Sequence, residues 1–185
     1  MKTRKLKNVI VHPEDKSTEF LRPIYKKTTS KRVFRKGNSI EDIRSQIERS
    51  DRVMMMGHGC PSGLFNVRMF SGAGGLAISC QEVELLKNKP ESIYIWCNAD
   101  RFVERYELHG FYSGMFISEV GEAKYCGVTA TQEMVDESNN SFSKIVGKHI
   151  HLPVSKLYDR VRKEYGTLAE TNPVAKYNYE RLYLR

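Results

Sequence analysis

The chain has no uninterrupted apolar run near the ~18 residues that a bilayer-crossing helix requires, which excludes a membrane span from its 185 residues. After the basic opening Met1 to Lys7, the first apolar stretch is only Val9-Ile10-Val11, far short of the roughly 7 to 15 residues of a signal-peptide core. The expected location is the cytoplasm. Cys60, Cys80, Cys97 and Cys126 form no C-x-x-C pair, so neither a zinc knuckle nor a thioredoxin-type motif is present, and in a reducing compartment all four are expected as free thiols. Gly57, Gly59 and Gly63 are wrongly spaced for the dinucleotide fingerprint, and no Gly-Lys-Ser/Thr follows them for a phosphate loop. Internal repeats and low-complexity linkers are absent. At this length that leaves one domain, residues 1–185, with a core at about 8–128 and a helical extension over about 129–185.

With 40% hydrophobic and 28% charged residues the chain has the composition of a packed protein. Its net charge of +8 is spread along the chain, which speaks to solubility and argues against nucleic acid as a partner. Apolar β-rich runs alternate with helical patterns, the signature of an α/β fold, a three-layer sandwich around a mainly parallel sheet. Strands are expected at 8–11, 32–35, 52–56, 92–96 and 114–118, and a hairpin between Phe65 and Ile78 across Gly72 to Gly75. The run Arg52 to Met56 is apolar at every central position, as suits a strand covered on both faces. Helices are expected over 15–27, bent by Pro23; after a cap at Asn38 or Ser39; from Ser79 to Lys87; over 101–108; and over 134–146 and 153–165, followed by a Tyr-rich tail.

In an open parallel sheet, ligands bind beyond the carboxyl ends of the strands. His58 follows the third strand and Cys97 the fourth, 39 positions later, enough for a hairpin and a crossover helix between neighbours. Cys97 stands at the start of a predicted helix, where unpaired amides lower a thiol pKa. Gly59, without a side chain, presents a backbone N–H that can share an oxyanion with the N–H of Cys97. Cys60 is the rival thiol, although no helix start follows it. His149-x-His151 lacks a third ligand nearby, so no metal is expected.

The runs Val53-Met54-Met55-Met56-Gly57-His58-Gly59 and Ile93-Tyr94-Ile95-Trp96-Cys97-Asn98-Ala99 resemble the two motif elements of the caspase-like cysteine peptidases. That superfamily includes caspases, metacaspases, gingipains, clostripain, separase and CHAT domains, and the second run looks most like the CHAT form. The resemblance covers about residues 8–120 and departs from the pattern at Trp96, where a small residue is usual. It implies a cysteine peptidase acting on a peptide or protein substrate without cofactor. Cys97 is the implied nucleophile and His58 the acid-base, with an oxyanion hole at Gly59 and Cys97. Acidic pockets in basic-specific members make Asp100 and Glu119 candidates for holding a substrate Lys or Arg. The alternatives are an inactive interaction module of the same fold, or a flavodoxin-like domain binding a nucleotide or flavin through the loop after Met56.

Overall fold

In the computed structural model, which describes residues 6–36, 39–67 and 75–185, apolar runs and amphipathic stretches alternate as strands and helices. The strands are β1 (Asn8–Val11), β2 (Lys31–Phe34), β3 (Arg52–Met56), β4 (Gly59–Cys60), β5 (Gly63–Phe65), β6 (Leu76–Ile78), β7 (Ile93–Ile95), β8 (Phe111–Ser113) and β9 (Leu182–Leu184). The helices are α1 (Arg22–Lys26), α2 (Ile40–Glu48), α3 (Val83–Lys87), α4 (Ala99–Arg105), α5 (Val120–Tyr125), α6 (Gln132–His149), α7 (Val154–Ala169) and α8 (Pro173–Tyr179). A 3-10 turn, Lys16–Leu21, leads into α1. The main sheet runs β2-β1-β3-β7-β8-β9, parallel throughout except for β9. Strands β4, β5 and β6 form a small antiparallel sheet beside it.

Every residue of β3 is buried, because alternate side chains enter different layers. Val53 and Met55 pack with Ile43 and Ile47 of α2 and Phe102 of α4. Met54 and Met56 pack with Ile24 of α1, Phe142 of α6 and Leu157 of α7. This is the three-layer α/β sandwich expected from the continuous apolar run. Ser39 caps α2 by accepting the Asp42 amide, and Ser79 and Glu82 form the box that starts the turn into α3. Among the described residues no helix is long and apolar enough to cross a membrane.

Three expectations change. The strand expected at 114–118 forms earlier, at Phe111–Ser113, where aromatic residues favour the pleat and Gly114 ends it. The tail ends in β9, antiparallel to β8, with Tyr183 packed on Tyr112 at 5.5 Å between ring centroids. It also contains α8, whose Asn172 cap and Pro173 at the first position are a readable start signal. The helices after residue 129, together with α1, supply one of the two layers that cover the sheet. The hairpin pairs β5 with β6, Leu64 opposite Ile78; its expected tip, with Met69 and Gly72 to Gly74, and the alternative cap Asn38 lie outside the described residues.

Candidate functional site

From β1 the chain crosses to β2 on one side, then to β3 on the other. The carboxyl ends of β1 and β3 therefore flank a topological switch point, the usual place for a site in such a sheet. At the end of β3, Gly57 takes φ +139°, a conformation side chains rarely adopt, and turns the chain away from the sheet. Its N–H still bonds Ile95 O at 3.0 Å. Met56 is registered with Ile95, so His58 and Cys97 each stand two residues beyond that pair, on the same rim and on neighbouring strands.

The loop after β1 holds the imidazole. Asp15 caps the Lys16–Leu21 turn by accepting the Ser17 amide at 2.9 Å and the Ser17 hydroxyl at 2.6 Å, and Ser17 Oγ lies 2.6 Å from His58 Nε2. Asp15 is held below the usual carboxylate range, first by the Ser17 hydroxyl, which outweighs the opposing effect of burial, and then by the Ser17 amide and His58. Because the Ser17 proton points to that carboxylate, Ser17 Oγ must accept, and the proton of His58 resides on Nε2. The same loop is pinned by His12, fully buried at the end of β1, whose Nδ1 contacts Tyr25 Oη at 2.8 Å and whose Nε2 contacts Thr18 Oγ1 at 3.2 Å. Burial, helped by Arg35, lowers the His12 pKa to about 4. Neither Asp15 nor Ser17 emerged as a site residue from sequence, where Asp15 marked only the start of the helix expected over 15–27.

Cys97 is only half-buried, yet its thiol reverses the expectation of a lowered pKa. Sγ lies 3.6 Å from Phe116 O and 3.9 Å from Glu122 Oε1, and its pKa is pushed up to about 12, first by burial and then by the Glu122 charge. The physical reason is local. Helix α4 begins only at Ala99 and spans seven residues, whereas a carboxylate faces the sulfur directly. Asn98, between them, adopts the left-handed conformation with φ +64°, one that Asn tolerates better than most residues; its N–H bonds Gly114 O at 3.2 Å.

Trp96 does not project into a pocket. It is buried, meets Tyr94 and Phe102 edge to face, and donates Nε1–H to Cys60 O at 3.1 Å. A Cβ on Gly59 would lie 2.3 Å from the Trp96 ring. Trp96 thus fastens the loop carrying His58 and Gly59 to the strand end carrying Cys97. Gly63 is equally filled, a Cβ there falling 1.9 Å from Ile78 O. Two of the three glycines of the loop after Met56 thus serve close backbone packing.

A recess of about 280 Å³ is lined by neighbours of the two residues, but neither His58 nor Cys97 is among its lining residues. One wall carries Ser17, the partner of His58, and Phe20, whose ring stacks on Phe116 at 6.3 Å. The other carries Ser118, Glu119, Asp136 and Asn139; Ser118 and Glu119 give their amides to Glu122, the carboxylate that faces Cys97. Asn139 donates to Ser118 O at 2.8 Å, and its Oδ1 is buried without a hydrogen-bond partner. Glu119 therefore borders the recess, whereas Asp100 lies outside its walls, in the first turn of α4, close to where a Cβ on Gly114 would sit. Cys60 Sγ accepts the Ser62 amide at 3.4 Å, and His149 pairs with Glu164 at 2.6 Å. No protein-family model, curated protein or solved structure matches the chain.

Proposed function

We propose that the chain is a caspase-like cysteine hydrolase that cleaves peptide bonds with Cys97 and His58. The observation that carries this reading is the placement of both residues on one rim of neighbouring parallel strands, with the imidazole fixed in one tautomer by Ser17 and Asp15. The resting thiol is protonated, so attack and proton transfer go together. Sγ bonds to the scissile carbonyl carbon as its proton passes to His58, and the amides of Gly59 and Cys97 stabilise the oxyanion. The protonated imidazole, steadied through Ser17 by Asp15, then gives that proton to the leaving amine, and water hydrolyses the thioester. Glu119 and Asp136 in the recess fit a substrate with a Lys or Arg beside the cleaved bond; Asp100 is the weaker candidate because it lies outside it.

The raised thiol pKa favours one second reading, an inactive interaction module with the same fold. A thiol-directed fluorescent probe separates the two, with labelled cysteines identified by peptide mapping because Cys80 is also exposed. For the hydrolase, Cys97 labels slowly at pH 7, about tenfold faster per pH unit up to pH 9, and faster again in Glu122→Gln, while His58→Ala lowers the rate. Cleavage of Lys- or Arg-containing fluorogenic peptides then disappears in Cys97→Ala. A Cys97 that stays unlabelled through pH 9 and after Glu122→Gln overturns the hydrolase in favour of the module.

A further inference from the structure

At the opposite end of the sheet, where β1 and β3 begin, lies a cavity of about 1020 Å³. That is the size of a small-molecule site, and it is well separated in the fold from the recess at the carboxyl rim. Its described lining holds five cationic side chains, Lys26, Lys27, Arg52, Lys144 and Lys148, against one carboxylate, Glu91. The acid is already engaged: Glu91 Oε2 accepts from Arg52 at 2.7 Å and from the Val154 amide at 2.9 Å. Lys148 is paired with Glu164. Lys26, Lys27 and Lys144 are exposed and have no ion-pair partner among the described residues.

The walls are built rather than loose. Arg52, 1% exposed, ties Ile150 O and Leu152 O to the start of β3. Gly147 lets α6 approach α1 so closely that a Cβ there would lie 2.5 Å from Pro23 O. Arg52 Nε and Thr28 Oγ1 are buried without hydrogen-bond partners, and both residues belong to the lining. The lining also includes the apolar residues Leu6, Pro23, Ile150 and Pro153. A bare phosphate would leave most of this volume and all of the apolar wall uncovered.

We infer that this cavity binds a nucleoside di- or triphosphate, its phosphates among Lys26, Lys27 and Lys144 and its base against Pro23 and Ile150. The inference is independent of chemistry at Cys97. The test is titration calorimetry and thermal unfolding of the full chain with ATP, adenosine and inorganic tripolyphosphate. ATP should bind more tightly than either fragment and, at about 100-fold excess over Kd, raise Tm by roughly 5 to 10 °C. Combined Lys26→Glu, Lys27→Glu and Lys144→Glu should weaken ATP by roughly tenfold or more, while Lys176→Glu, an exposed lysine outside the lining, should not. Absence of ATP binding at millimolar concentration, ATP binding unchanged in a folded triple variant, or a fragment that binds as tightly as ATP would each overturn it.

Discussion

The two rims of the sheet differ in how their polar groups are deployed. At the carboxyl rim nearly every group is tied to another: His58 to Ser17, Ser17 to Asp15, Cys97 to Glu122, and Glu122 to the amides of Ser118 and Glu119. The recess beside them is small. At the amino rim the buried Arg52 is committed through its terminal nitrogens, but three of the four lysines lining the large cavity, Lys26, Lys27 and Lys144, have no ion-pair partner among the described residues. A chemical step needs groups fixed relative to one another, whereas capture of an anion needs uncompensated charge around a preformed space. One sheet supplies both because its strands end in tight, glycine-turned loops on one side and begin between lysine-bearing helix ends on the other.

Breaking the relay at the carboxyl rim should have the largest effect. Ser17→Ala leaves the imidazole without its link to Asp15, and turnover of a cleaved peptide should fall by about 10- to 100-fold with little change in KM. Steady-state kinetics checks the split; a variant with only KM altered would make Ser17 a substrate contact instead.

The next effect concerns the stability of the same rim. His12 titrates at about 4 in the folded protein because of burial, against about 6.5 in an unfolded chain. Between those values the unfolded chain holds a proton that the folded one lacks. The contribution is therefore complete above about pH 6.5 and lost as pH falls toward 4, a loss of about 3 kcal/mol. Urea unfolding at pH 7 and pH 4.5 measures it, and His12→Phe should flatten the dependence over that interval.

Smaller still is the staple at the amino rim. Arg52→Met removes the bonds to Ile150 O and Leu152 O, while the abandoned Glu91, about one-third exposed, remains hydrated. The expected cost is about 2 kcal/mol, read as a lower urea midpoint, with reactivity at Cys97 unchanged. A loss of Cys97 labelling in a folded Arg52→Met would show that the rims are coupled.

Much of the fold was legible because burial on both faces leaves a mark that few other arrangements leave. Arg52 to Met56 and Ser92 to Trp96 read as central strands, and the sheet holds strands at Arg52–Met56 and Ile93–Ile95. Ser39 and Ser79 read as helix starts for the same chemistry that they perform. The edge strand β9 was not legible, since three residues in a Tyr-rich tail acquire strand character only when β8 offers its open side. His58 and Cys97 could be nominated from the ends of their strands. Their settings could not, because Ser17 lies 41 positions from His58 and Glu122 lies 25 from Cys97.

By itself, then, the sequence determined a parallel sheet covered on both faces, with an imidazole and a thiol delivered by successive apolar runs; periodicity and strand ends are local properties of a chain. Only the tertiary structure decided that the thiol faces a carboxylate and is held protonated, that Trp96 locks the histidine loop down, and that scattered lysines line one cavity. Those outcomes depend on distances between segments remote in sequence, and electrostatic effects on a pKa follow distance and burial rather than order along the chain.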